Sequence, residues 1–316
     1  MQDDRPLLGI MLMLAFCCVA PLGDATAKVL GGPDYGQTVF QLLLLRFVMQ
    51  AVFLVPLAWV LGRPMRMSRR VTWLVFLRSI IHVTGSGLMF LALQFLPLAE
   101  TVAIAFVLPF IMLLLGWLLL DEEIGWRRLA ACAVGFGGTL MVIQPSFAAV
   151  GWPALLPVGV AFAFAFFMLV TRKIAKDVDP IGMQGVSGVM AVAILLPFAL
   201  LGYPLGADAL MLVAVPPQAI TLYLTLGVLG SFGHLLMTWS LRYAPSATLA
   251  PMQYLEIPIA AIFGWMIFHD LPNGLAALGI LVTMSAGMYV ILRERAIARR
   301  ASAVLTATAG GPGAAV

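Results

Sequence analysis

The stretch GSGLMFLALQFLPLAETVAIAFVLPFIMLLLGWLLLDE, Gly85 to Glu122, returns 148 residues later as GHLLMTWSLRYAPSATLAPMQYLEIPIAAIFGWMIFHD, Gly233 to Asp270. From Gly85 to Trp117 the gapless offset matches nine of 33 positions, among them Pro97/Pro245, Ala99/Ala247, Gly116/Gly264 and Trp117/Trp265. Apolar composition alone does not produce that density. Each copy is an apolar run, a proline-marked tight turn, a second apolar run ending in Gly-Trp, and a closing acid, Glu122 or Asp270. The chain is one unit written twice, which is the mark of a repeat architecture.

What that unit is follows from the length of its apolar runs. A helix needs roughly 20 apolar residues to cross the hydrocarbon of a bilayer, and such segments lie near 7–29, 37–61, 71–92, 97–120, 126–144, 152–172, 181–202, 218–240, 246–268 and 273–292. With 62% hydrophobic and 10% charged residues, the chain cannot cover a water-soluble globule of 316 residues with polar side chains. Five segments per unit is an odd number, so the second unit enters the membrane with the opposite orientation. The expected fold is all-α and integral to the membrane: ten transmembrane helices as two inverted five-helix repeats, residues 1–145 and 146–295, with the site where they meet near the midplane. Residues 296–316, small and mostly uncharged beyond Arg300, read as a disordered cytoplasmic tail.

The net charge of +4 does not point to nucleic acid, because the basic residues sit between segments rather than on one soluble face. With the N-terminus inside, 15 of the 18 Lys and Arg fall on the inner side, Lys28 on the outer side, and Arg46 and Arg78 within segments. The positive-inside rule then places both termini in the cytoplasm. Cys17, Cys18 and Cys132 lie in apolar segments at no metal-ligand spacing and read as reduced packing residues. Ala25-Thr26-Ala27 resembles a signal-peptidase site, but the acidic leader MQDDR and the length of the run favour a retained first helix.

Polar side chains inside apolar segments are expensive, and they mark candidate function. Arg46, in QLLLLRFVMQ, is close to mid-membrane and faces a cavity or a partner. Arg78 and His82 follow at i and i+4 in the third segment; Arg78 is near enough to the inner surface to snorkel, whereas His82 is deeper and makes either a substrate contact or an interhelical hydrogen bond. His234 in the eighth segment stands at the repeat position of Ser86. The ninth segment holds the most polar mid-membrane cluster, Gln253, Tyr254 and Glu256, with Pro251 and Pro258 on either side loosening the helix and favouring a wet site. Candidate substrate-binding residues are therefore Arg46, His82, His234, Gln253, Tyr254 and Glu256. Glu256 is also the proton-coupling candidate, because desolvation between Leu255 and Ile257 favours its neutral form.

Asp24 and Lys28, one turn apart, are either a local ion pair or part of the outer mouth. Glu100 suits the first turn of the fourth helix, and Glu122 an interfacial pair with Arg127 and Arg128. Gly135, Gly137 and Gly138 offer a smooth face for scaffold packing or a homodimer through helices five and ten, and Gly182, Gly185 and Gly188 form another packing seam.

Five plus five segments, an acid after the Gly-Trp helix in each half, and small-residue fifth and tenth segments resemble the EamA-type drug/metabolite transporters. LPLAETVAIAFVLPFIMLLLGWLLLDEEIGWRRLAACAVGFGG and its echo APSATLAPMQYLEIPIAAIFGWMIFHDLPNGLAALGILVTMSAG carry the resemblance, which spans residues 7 to 293. It implies a cavity lined by helices 1, 3, 4, 6, 8 and 9, with 5 and 10 outside. Asp270 stands where the family has a second glutamate. APLGDATAKVLG and QLLLLRF are similar to members that take up riboflavin or S-adenosylmethionine.

The function expected is a secondary transporter moving a small organic metabolite by alternating access, best read as uptake of a heteroaromatic such as riboflavin. Its partners are that substrate, the lipid bilayer and coupling protons. Amino-acid or metabolite export is the alternative within the superfamily; a channel or receptor is the alternative outside it. An enzyme is disfavoured because His82, His234 and His269 are scattered in depth with no nucleophile or ligand set beside them. Nothing calls for a cofactor or a metal, and no G-x-x-x-x-G-K-[ST] loop is present to drive transport with ATP.

Overall fold

Backbone polar groups in hydrocarbon must be satisfied within their own segment, which leaves the helix as the element open to runs like these. The computed structural model describes residues 6–108, 110–111, 126–175, 177–243, 249 and 253–309; Gly116, Trp117, Glu122, Pro245, Ala247 and Pro251 lie outside them, as does the expected Glu122 ion pair. Ten α-helices occur among the described residues: α1 (Pro6–Gly31), α2 (Val39–Val60), α3 (Arg69–Ala92), α4 (Leu98–Ala105), α5 (Trp126–Val150), α6 (Leu156–Ile174), α7 (Pro180–Leu205), α8 (Pro217–Tyr243), α9 (Glu256–Phe268) and α10 (Gly274–Ala309). Seven stretches, in α1 to α3 and α5 to α8, are long and apolar enough to cross a membrane. Trp59, Val60, Trp73, Leu200, Met266 and Leu281 are exposed, an apolar exterior that suits lipid and not water.

Local chemistry sets the helix ends. Thr38 and Ser68 cap α2 and α3 by accepting from the Gln41 and Val71 amides at 3.2 and 3.4 Å. Asp179 accepts from Ile181 N and Gly182 N at the start of α7, with Pro180 in its first turn. That helix ends on Gly206 at φ +62°, where a side chain would be strained. Two expected spans are interrupted within the described residues. α4 gives way to a turn at Phe106–Val107, and α9 begins only after a turn at Tyr254–Leu255. These turns are 148 residues apart, and the Phe106 and Tyr254 rings meet at 5.3 Å. The expected tail departs in the other direction: α10 continues through Ala309, because AIARRASAVLTATA holds strong helix formers and no glycine or proline to stop it.

The longest packing interfaces pair α1 with α8, α3 with α6, α2 with α7 and α5 with α10; α4 packs on α9. Glycines make several of these close. A Cβ on Gly138 would lie 2.6 Å from Thr283 Oγ1 and 2.9 Å from the Gly279 carbonyl, and one on Gly279 would lie 2.6 Å from the Gly138 carbonyl. The space at Gly138 is thus filled by α10 of the same chain, the scaffold packing that the glycines of α5 offered, while a Cβ on Gly137 would meet nothing within 4 Å. Gly182, Gly185 and Gly188 seat α7 against the Pro64 carbonyl, Leu54 and Ala51, as a packing seam should.

Candidate functional site

Helices α1, α3, α4, α6 and α8, joined by Gln253, Glu256 and Arg46, surround a cavity of about 1080 Å³, part of it open to solvent. Most of the wall is apolar, with Phe16, Phe90, Phe106, Phe164 and Phe167 facing in. The lining helices match the six that the resemblance implies, and α2 adds one residue, Arg46.

Arg46 anchors the polar part. Its Nη2 lies 3.3 Å from Nε2 of His82, which lies 2.9 Å from Nε2 of His234. A guanidinium can only donate, so His82 Nε2 is the acceptor, its own proton sits on Nδ1, and His234 donates through Nε2. Three helices, α2, α3 and α8, are tied by this chain. Phe47 and Phe167 pack on the His82 ring at 5.0 and 4.8 Å and fix its plane. Glycine makes room: a Cβ at Gly230 would sit 2.8 Å from Arg46 Nε. Arg46 is 5% exposed, and its Nη1 has no hydrogen-bond partner among the described residues.

Opposite stand two carboxylates. Glu256, in the first turn of α9 just past the Tyr254–Leu255 turn, is hydrogen-bonded to the Cys17 thiol, so Cys17 does more than fill space. Asp24 on α1 also faces the cavity and is close enough to interact electrostatically with both Arg46 and Glu256. It forms no ion pair with Lys28. The Lys28 ammonium instead donates to the Leu93 and Leu96 carbonyls at the end of α3 and lies 5.4 Å over the Phe268 ring.

The described cavity is one that a membrane carrier needs, and comparison with known proteins decides the class. The EamA-like transporter family matches residues 7–144 and 151–293. The chain belongs to the EamA-like transporter family. This EamA-like transporter is a multi-pass membrane protein and not an enzyme. It is similar to a riboflavin transporter of Rhizobium johnstonii, 28% identical over 70% of this chain and 71% of that protein. An S-adenosylmethionine uptake transporter of Rickettsia prowazekii is 24% identical over 92% and 94%, and a riboflavin transporter of Vibrio cholerae 24% over 94% and 97%. A solved crystal structure shares the fold with a TM-score of 0.60 at 17% identity, covering 92% of this chain and 98% of that one.

Of the residues singled out from sequence, the EamA-like transporter brings Arg46, His82, His234, Gln253 and Glu256 to the cavity. Tyr254 is not in the wall: it is 1% exposed, packs at a tilt against Phe106, and occupies the space above Gly287 of α10, where a Cβ would clash with its ring. It sits in the turn before α9, which directs it away from the wall that Gln253 keeps. Arg78 does not snorkel. It is 0% exposed, donates to Thr171 Oγ1 at 2.8 Å and Ser187 Oγ at 3.1 Å, and lies 4.2 Å over the Phe167 ring. Glu100, beyond its place in the first turn of α4, accepts from Ser146 of α5. Sequence reasoning missed Gln50 and Gln184, a buried pair in which Gln50 donates to the Gln184 carbonyl at 2.8 Å and Gln184 donates to the His234 carbonyl at 3.1 Å. The signal was there: Gln50 is one turn from Arg46 inside an apolar run.

Proposed function

We propose that this transporter takes up a heteroaromatic metabolite, riboflavin before others, across the bacterial inner membrane by alternating access of two antiparallel five-helix halves. Substrate binds among Arg46, His82, His234, Gln253 and Glu256, and protons couple through Glu256. The observation that carries the reading is the cavity itself: aromatic walls for a flat ring, and one polar pole built from Arg46 and the histidine pair. Names of relatives support the substrate class, since two of those given above are riboflavin transporters. The two-fold arrangement is supported by the packing, in which exchanging α1–α5 for α6–α10 turns α1·α8 into α6·α3 and returns α2·α7, α4·α9 and α5·α10 to themselves. It is supported again by helix breaks 148 residues apart, a feature that broken helices in inverted-repeat carriers share. Both termini lie in the cytoplasm on this reading.

Glu256 suits a proton carrier because it opens onto the cavity from a helix start, with Asp24 nearby and no ion pair to a cation among the described residues. In proteoliposomes, Glu256→Gln is expected to keep substrate exchange and lose accumulation driven by a pH gradient. Accumulation with the wild-type pH dependence would remove the coupling role; failure of the variant to fold would make Glu256 a structural brace. A second reading, S-adenosylmethionine as substrate, is favoured by the two carboxylates, which suit a ligand with cationic groups.

A further inference from the structure

The cavity holds a group that the sequence reading left between two roles and that the uptake reading does not use. Asp24 projects from α1 into the same space as Arg46 from α2. The two interact electrostatically, yet they form no ion pair, and among the described residues Asp24 accepts no hydrogen bond. Lys28, the cation nearest in sequence, is engaged with the α3 carbonyls. Across the gap, Nη1 of the almost fully buried Arg46 has no partner either. Leaving a buried donor of this kind unsatisfied is costly, and such groups call for an explanation. Direct pairing would satisfy both side chains, yet each is engaged separately: Arg46 is held on one side by His82 and lies in the slot left by Gly230, while Asp24 belongs to a helix packed along α8 and α9.

We propose that Asp24 and Arg46 together read one polar edge of the substrate, an edge that presents a hydrogen-bond donor beside an acceptor. A carboxylate accepts only and a guanidinium donates only, so the donor of the ligand lies on Asp24 and its acceptor on the Arg46 guanidinium. Phe16, Phe90, Phe106, Phe164 and Phe167 cover the apolar remainder, which makes the ligand class a flat ring system with an imide-like or amide-like edge. Asp24 is then a specificity-determining residue, distinct from Glu256, and the proposal rests on the reading of this cavity as the substrate site. A site built to hydrogen-bond a substrate N–H rejects the analogue that lacks it, because its own acceptor is left unpaired. The imide N–H of the flavin ring, flanked by two carbonyls, is the matching group in riboflavin.

The test measures binding to the purified full-length protein by quenching of flavin fluorescence, with riboflavin and with riboflavin methylated at that imide nitrogen. The wild type is expected to bind riboflavin at least about tenfold more tightly than the methylated analogue, as a charged hydrogen bond is worth, and Asp24→Ala to lose that preference while binding the analogue as the wild type does. Equal binding of the two ligands by the wild type overturns the proposal without any variant, and so does a tenfold preference that survives in Asp24→Ala. If the wild type binds no riboflavin, the riboflavin reading fails while Asp24 is still on trial: Asp24→Ala must then weaken S-adenosylmethionine binding at least about tenfold, and equal binding overturns the proposal. No binding of either ligand overturns both.

Discussion

Arg46 shows how much a single buried residue organises. Its planar fork presents nitrogens in two directions: Nη2 bonds His82, and Nη1, closed off from solvent, has no hydrogen-bond partner among the described residues. Lysine has one compact charge and cannot reproduce that geometry. Arg46→Lys is therefore expected to fold, to reach the membrane in wild-type amount, and to take up substrate at least about tenfold more slowly, the loss set by one charge-assisted hydrogen bond. Uptake at the wild-type rate would make Arg46 structural. The depth of Arg46 was readable from its place in QLLLLRFVMQ, and so was the pressure on it to find a partner. That the partner is a histidine on α3, itself bonded to a histidine on α8, was not readable, because those residues lie 36 and 188 positions further along the chain.

At the level of elements, the glycines separate helices that pack from helices that face lipid. Gly138 and Gly137 are neighbours in sequence with opposite surroundings: a Cβ on Gly138 would meet the Thr283 backbone nitrogen at 2.8 Å, whereas one on Gly137 would meet nothing within 4 Å. Gly138→Leu should push α5 from α10 and destabilise the protein by about 1–3 kcal/mol or more, as overpacking does. Gly137→Leu should leave thermal unfolding in detergent unchanged. Equal effects from the two would mean that α5 and α10 do not pack in this register. The sequence announced a smooth face in both; only the rotation of α5 against α10 says which glycine uses it. The breaks after α4 and before α9 were likewise half visible. Proline and mid-membrane polarity pointed to the ninth segment; for the matching turn at Phe106–Val107 the signal in the sequence was Pro109, four residues after the last residue of α4.

For the whole molecule, orientation is the property on which transport direction depends. On the proposed orientation, which follows the basic bias, the loop before α3 lies inside and the loop after α7 outside. In a background without native cysteines, a cysteine at exposed Ser68 should resist an impermeant thiol reagent in intact cells, while one at exposed Ala209 should react. Labelling of Ser68 from outside would invert the orientation and turn uptake into export. Basic residues also join one end of the bundle: Arg63 reaches Asp179 at 3.7 Å, and Arg242 donates to the Val178 carbonyl at 3.2 Å, each linking segments distant in sequence.

The sequence by itself determined that this chain enters a membrane, that it does so as helices, and which polar residues are stranded at depth. Those are properties of composition along a line, and lipid reads them segment by segment, since each helix satisfies its own backbone. The tertiary structure alone decided which way each stranded side chain turns. Arg78 points into the bundle and not to the surface, Tyr254 leaves the cavity that Gln253 lines, Lys28 passes over Asp24 for the end of α3, and Asp24 is left facing Arg46 across a gap. Rotation of a helix about its axis costs nothing against uniform hydrocarbon; it is fixed by contact with neighbouring helices, and here those neighbours come from the other end of the chain.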